Sequence, residues 1–452
     1  MERGKNETMK RNIRHFIGIA SMLLLVLLLA CCNTEKSAAG HGDETTAFDT
    51  DIYLDTQMDT TSPVDDTTGS DAPGNTPPEV TTADEITTRP VDLFDLPVPT
   101  GDYMLTQENL NKLGSKHNVV YFVIDRFDWE YYVRAREKAP EIFYNLNNGG
   151  FTYFDDSISL YPRTFPSIAY MVTGVENDFS KSRAKYFESA YAGSEFMRRL
   201  YNVGYTVNVY TDSYYGYINA AYMANYAANA KPAQDGQTAY STDIREIYTY
   251  LTQSPMSIGE SERSYSFIHL SGTHLPLLYD ENFEPLPEDD SRRWDSTLGM
   301  KQSFAIINRY IDEMKRLGVY DNATVIITGD HPSIGSDSAV PLRWAHVTPL
   351  FVKPSSNPDG ALQVSSAPVT HADVFPTILK SEGIADGMNM GRSVFEIPVG
   401  ERRERLYYFQ KYDRIDGRTN YEMVVFAING KAADYANWEI RERYYLGKSI
   451  YG

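Results

Sequence analysis

Two segments constrain the fold of this chain more than anything else in it: "NVVYFVID", Asn118 to Asp125, and "ATVIITGDH", Ala323 to His331. Each is a near-continuous apolar run, which a strand needs only when both of its faces are covered, and each ends in polar side chains. The stretches between such runs supply the covering helices. "SEFMRRLYNVG" reads as a helix stopped near Gly204 and followed by a strand, Tyr205 to Tyr210. "FAIINRYIDEMKRLGVYDN" places Ile306, Ile307, Tyr310, Ile311, Met314 and Leu317 on one helical face and then turns at Asp321-Asn322. The expected fold class is therefore α/β, with a largely parallel central sheet flanked by helices, from about Val98 onward. Beyond Glu401, "RLYYFQKY" and "YEMVVFAING" read as strands of a small C-terminal subdomain, residues 401–452.

The front of the chain is different. Lys5, Lys10, Arg11 and Arg14 precede the 15-residue apolar run Phe16 to Ala30, which ends at "LLAC". That is the pattern of a signal sequence with a lipoprotein-type Cys31, covering residues 1–32, and it predicts an extracytoplasmic protein held on a membrane by a lipid anchor. The alternative is an uncleaved membrane anchor, for which the run is short. Residues 33–95 carry 15 acidic side chains against only Lys36 and Arg89. So polar and Thr-rich a composition cannot bury enough apolar surface to fold, which predicts a disordered, self-repelling linker. The remainder stays acidic, arguing against a nucleic-acid partner. Cys31 and Cys32 are the only cysteines, so the exported part has no disulfide and no thiolate metal site.

In open α/β sheets, ligands bind beyond the carboxyl ends of the strands. Asp125 ends the first apolar strand and Asp330-His331 ends the second. "YPRTFPSIAYMVTG", Tyr161 to Gly174, adds a hydroxyl, Thr164, at the start of a short apolar helix. Two readings of Thr164 stand side by side: an ordinary helix cap, or a nucleophile presented at a helix N-terminus. Two carboxylates, an imidazole and a hydroxyl oxygen suit one divalent metal, Zn²⁺ or Mn²⁺.

In their order along the chain these motifs resemble those of the alkaline phosphatase superfamily. Thr-Phe-Pro-Ser followed by "MVTG" is similar to the nucleophile loop of its phosphodiesterase branch. "NVVYFVID" and "GVYDNATVIITGDH" resemble its metal-binding strands, and "VTHADVFPTILKSEGI" its D-x-x-P-T helix. "FIHLSGTHLPLLY" is similar to a segment of bacterial phosphoethanolamine transferases. The resemblance runs from about Asn118 to Gly391 and implies a catalytic domain of that type over residues 96–400, with Asp125, Thr164, Asp330 and His331 as metal ligands and Thr164 as nucleophile. The chain also departs from the pattern. Sulfatases of the superfamily mature a Cys or Ser to formylglycine, whereas this chain has Thr164, so sulfate ester hydrolysis is not expected. Leu270 stands where the phosphodiesterase branch has a second-site Asp, which puts a second metal in doubt. The transferase branches usually have Glu at the position of Asp125 and lack Pro332 after the Asp-His pair.

Among the remaining histidines, His274 follows a strand in a loop and is assigned to the transferred phosphoryl group or the leaving oxygen. His269, within that strand, reads as a core histidine, and His371 as structural. Arg163 and His346 are candidate substrate-binding residues, and Arg126 flanks the same loops. Tyrosine-rich segments such as "SYYGY" near Tyr214 suggest a surface facing glycan or lipid. The resulting expectation is a cell-surface, metal-dependent phosphotransferase or phosphodiesterase. Its threonine nucleophile would act on a phosphodiester of phosphoglycerol or phosphoethanolamine type, lipid- or glycan-linked. The rival is a catalytically decayed surface protein that binds a cell-wall polymer, for which Pro332 and Leu270 speak.

Overall fold

The computed structural model describes residues 93–211, 220–233, 243–332, 347–385, 387–415 and 418–445. The apolar leader, almost all of the acidic stretch, the tyrosine cluster near Tyr214, and His346 lie outside them. Among the described residues, no helix is long and apolar enough to cross a membrane.

The central sheet has seven strands: β1 His117–Ile124, β2 Thr152–Phe154, β3 Tyr205–Tyr210, β4 Arg263–Leu270, β5 Ala323–Gly329, β6 Leu350–Lys353 and β7 Gln363–Ser365. Their order is β7-β2-β6-β5-β1-β4-β3. β1 pairs in parallel with β4 and β5, β4 with β3, and β7 with β2, whereas β6 runs antiparallel to both of its neighbours. The expected α/β architecture with a largely parallel sheet is what the chain adopts.

The principal helices are α1 Trp129–Lys138, α2 Thr164–Thr173, α3 Arg183–Ala192, α4 Glu195–Asn202, α5 Ile244–Gln253, α6 Ser296–Arg316 and α7 Val374–Ser381. Successive strand residues point to opposite faces, and the two faces fill two separate cores. Val119, Tyr121 and Val123 join Tyr265, Phe267 and residues of α2, α3, α4 and α7. Val120, Phe122 and Ile124 join Ile268, Leu270 and residues of α1, α5 and α6. Burial on both sides is why β1 and β5 read as continuous apolar runs. Helix α2 is buried at all ten positions, which explains why its sequence is apolar all round rather than striped.

Past the sheet, β8 Glu404–Ile415, β9 Arg418–Asn429 and β10 Trp438–Tyr445 form an antiparallel meander. Arg405 in β8 ties it to the rest. Its buried guanidinium donates to the Asp156 carbonyl at 2.7 Å, to both Asp156 carboxylate oxygens at 3.2 Å, and to the Gly430 carbonyl. Arg403 adds a two-pronged pair with Asp373 at 2.8 and 2.9 Å. The Tyr408 ring meets Tyr161, 5.3 Å between centroids, and so braces the segment leading into α2. At the other end of the fold, Phe94 stacks on Tyr226 at 4.7 Å, so packing already involves the last residues of the stretch read as linker.

Candidate metal centre

Register brings the two carboxylates together. In the β1–β5 pairing Ile124 lies opposite Gly329, so Asp125 and Asp330 emerge side by side at the carboxyl ends of neighbouring strands. Alternation then decides which face they share. Asp125 follows Val123 and Tyr121 on the face covered by α2, and Asp330 follows Ile326 on the same face. Thr164 is the first residue of α2, and Arg163 is its N-cap with no side-chain capping bond. The Thr164 hydroxyl is turned away from the helix amides: Oγ1 is 3.4 Å from Asp125 Oδ2 and 3.1 Å from His331 Nε2.

The backbone around the cluster is held closely. Asp330 Oδ1 accepts from the Arg126 amide at 2.9 Å and from the His331 amide at 2.8 Å. Arg126 makes that bond from a left-handed backbone with φ +56, a conformation that costs a non-glycine residue roughly 1 kcal/mol or more. The Thr273 hydroxyl donates to the Asp125 and Arg126 carbonyls at 2.8 and 3.0 Å, pinning the loop after β4 over the site. At Gly329 a Cβ would run into the Phe127 carbonyl oxygen, so only glycine lets the 125–128 turn lie over the end of β5.

The electrostatics select ligand forms. His331 Nδ1 lies 2.8 Å from the Pro332 carbonyl, which can only accept, so Nδ1 carries the proton and Nε2 presents its lone pair to the cluster. Burial pushes His331 well below its ordinary pKa, opposed by that Pro332 bond and reinforced by Arg126, Arg163 and His274. The Asp330 carboxyl is pushed upward by burial and by the Asp125 carboxylate beside it. One ligand atom from each of Asp125, Asp330 and His331 falls within 4.8 Å of the others, and all three residues are buried. Two carboxylates crowded with an imidazole lone pair and a hydroxyl oxygen lack a positive charge. A divalent cation fits that donor set.

The structure thus brings together Asp125, Thr164, Asp330 and His331, the four ligand positions expected from sequence. His274 is half-buried in the loop after β4, its amide donating to the Ser271 carbonyl at 3.0 Å, and it acts electrostatically on His331. Arg163 is exposed at the N-cap of α2 and reaches His331 in the same way. His346 lies outside the described residues. His269 is a core histidine as read, fully buried, with Nδ1 3.0 Å from Thr211 Oγ1 and burial lowering its pKa to about 3. Its Nε2 also stands 3.9 Å from Asp125 Oδ2, a neighbourhood the sequence reading missed. Strand parity carried the signal, since His269 shares its face with Tyr265 and Phe267. His371 is buried, with Nε2 3.5 Å from Thr328 Oγ1.

The Sulfatase family model matches residues 117–384, the span that holds every residue of the cluster. No curated protein matches the sequence. Solved structures that the chain resembles include a protein in the alkaline phosphatase superfamily from Vibrio parahaemolyticus, with TM-score 0.48, 15% identity, and 74% of this chain and 83% of that one covered. Another is the lipoteichoic acid synthase LtaP from Listeria monocytogenes, with TM-score 0.46, 14% identity and coverage of 75% and 90%. A third is the phosphonate monoester hydrolase SpPMH from Silicibacter pomeroyi, with TM-score 0.43, 15% identity and coverage of 71% and 88%.

Proposed function

The chain belongs to the Sulfatase family, and from that membership and the cluster around Thr164 we propose that it is a metal-dependent phosphotransferase or phosphodiesterase with a threonine nucleophile. The observation that carries the reading is the position of Thr164 Oγ1, 3.1 Å from His331 Nε2 and 3.4 Å from Asp125 Oδ2. A divalent cation, Zn²⁺ or Mn²⁺, held by Asp125, Asp330, His331 and Thr164 would lower the proton affinity of the hydroxyl and neutralise substrate charge. The Thr164 hydroxyl gives up its proton to solvent and its oxygen attacks phosphorus in line, the bond from phosphorus to the leaving oxygen breaks, and Thr164 becomes esterified to the phosphoryl group, which keeps the diester's other substituent. His274 gives its proton to the leaving oxygen. Arg163, at the helix N-terminus, binds the non-bridging oxygens. An acceptor hydroxyl then takes the phosphoryl group and frees Thr164; a lipid or glycan acceptor makes the enzyme a transferase, and water makes it a hydrolase.

Phosphoryl rather than sulfuryl transfer is favoured because the nucleophile position holds a threonine, which cannot mature to formylglycine. "LLAC" at Cys31 supports a lipid-anchored, extracytoplasmic enzyme acting on a lipid- or glycan-linked phosphodiester. The rival reading, a decayed polymer-binding protein, leans on Pro332. That residue's carbonyl fixes the tautomer of His331 that a metal needs, so its presence does not count against a working site. The deciding experiment loads the purified protein with Zn²⁺ or Mn²⁺ and compares bis(p-nitrophenyl) phosphate with p-nitrophenyl sulfate. Turnover of the diester with a transient p-nitrophenylphosphoryl adduct on Thr164, in the segment Arg163 to Gly174, is expected. A sulfatase rate exceeding the diesterase rate would overturn the assignment.

A further inference from the structure

A cavity of about 430 Å³ opens between the loop that follows α2 and the C-terminal meander, and its lining includes none of Asp125, Thr164, Asp330 and His331. Four aromatic rings line it, Phe179, Tyr408, Tyr444 and Tyr445, together with the carboxylates Asp178 and Glu442. Basic side chains are absent from the lining, although Lys181 acts electrostatically on Asp178 from outside it. Arg441 pairs with Glu404, Arg443 lies 3.5 Å from Glu422, and Lys181 Nζ is 3.5 Å from Ser189 Oγ.

The phenols are tied back. Tyr408 donates to the Glu176 carboxylate, and Tyr444 donates to the Asp178 carbonyl at 2.9 Å. Burial holds both phenols above their ordinary pKa, so they stay neutral. Asp178 accepts from the Ser180 hydroxyl at 2.6 Å and from its amide at 2.9 Å, bonds that keep its carboxyl ionised. Neutral rings beside fixed carboxylates recognise a cation with an apolar shell, because the ring quadrupole attracts the charge and the ring face covers the alkyl groups. A bare metal ion would gain nothing from the rings.

We propose that this cavity binds an alkylammonium group, of the kind carried by choline, by ethanolamine head groups or by amine-bearing polymers. It lies apart from the Thr164 centre and stands whether or not that centre is catalytic. A cation there would hold a second portion of a long ligand, or a membrane head group, away from the nucleophile.

Calorimetric titration of the purified full-length protein with choline chloride tests it, with 3,3-dimethyl-1-butanol as the neutral probe of the same shape. Choline should bind in the millimolar range and the alcohol at least about tenfold more weakly. Glu442→Gln and Tyr445→Ala should each weaken choline several-fold; Tyr445 is 78% exposed, so its loss leaves the fold intact. Co-sedimentation with phosphatidylcholine but not phosphatidylglycerol vesicles would assign the group to a lipid head group, and binding of free choline alone to a soluble or polymer-borne amine. Equal binding of the alcohol, undiminished binding in both variants, or no binding of choline or vesicles would overturn the proposal.

Discussion

Thr164 Oγ1 lies 3.1 Å from His331 Nε2, across the gap between the start of a helix and the end of a strand 167 residues away in sequence. A capping hydroxyl would face its own helix amides two or three residues on. This one faces an imidazole lone pair and a carboxylate, so of the two roles open to Thr164 from sequence, the geometry leaves the cap without a hydrogen bond.

Replacement of that hydroxyl should separate chemistry from folding. Thr164→Val keeps the shape and removes the oxygen. It should abolish turnover, at least about 10³-fold, and eliminate the substrate-derived phosphoryl adduct in protein quenched during the reaction, while thermal unfolding stays close to wild type. Thr164→Ser should retain measurable activity and carry the same adduct on the serine. Substantial turnover by the valine variant would end the nucleophile assignment.

Metal binding should fail when one ligand is neutralised. Asp330→Asn keeps the side-chain oxygen that accepts from the Arg126 and His331 amides at 2.9 and 2.8 Å, so the local turn should survive. It removes a charge from the cluster proposed to hold a divalent cation, and affinity should fall roughly 100-fold or more. Elemental analysis after dialysis against limiting Zn²⁺ reads this directly, and a full equivalent of metal in the variant would show the site to be elsewhere.

Sequence made the clustered residues legible because each ends, or directly follows, a segment with a strong local signature. Asp125 and Asp330 close apolar strands, and Thr164 opens an apolar helix. What joins them is register, and register is not local. Nothing in Leu350–Lys353 alone says that this strand runs against its neighbours, and nothing near His269 says that its ring reaches Asp125 except strand parity. The left-handed φ of Arg126 and the bond from His331 to the Pro332 carbonyl were likewise hidden. Both are backbone consequences of packing the 125–128 turn over Gly329, and Pro332 by itself looked like a departure from a working motif.

Acid should unfold the protein partly through His371. Burial lowers its pKa from 6.5 to about 3 in the folded state. The unfolded chain therefore binds more protons between about pH 6.5 and pH 3, and stability falls as pH drops through that window. The contribution is at most about 1.4 kcal/mol per pH unit, and it vanishes above pH 6.5. Urea unfolding of wild type and His371→Gln at pH 7.5, 6 and 4.5 should show the wild-type pH dependence exceeding that of the variant by up to one proton. Parallel pH profiles would mean that His371 takes up its proton alike in the folded and unfolded states.

The meander's attachment yields the largest expected stability change, because Arg405 and Asp156 are buried together although 249 residues separate them. Burial raises the Asp156 carboxyl above its ordinary pKa, and Arg405 pulls it back. Arg405→Met would leave that carboxylate with the Ala432 amide as its remaining donor at 2.8 Å and would take the guanidinium donors from the Val369 and Gly430 carbonyls, while the Asp156 carbonyl keeps the Val369 amide at 3.1 Å. Removing one partner of such a pair costs about 3–5 kcal/mol. Adding Asp156→Asn to the same protein removes the stranded charge while keeping an acceptor for Ala432. The double variant should therefore be more stable than Arg405→Met alone, with a coupling of roughly 1–3 kcal/mol by double-mutant cycle. Metal content should be unchanged in all three variants, since neither residue touches the Asp125–Asp330–His331 cluster. Additive costs in the cycle would show that the two side chains act separately, and that the remaining contacts, Arg403 with Asp373 and Tyr408 with Tyr161, hold the meander in place.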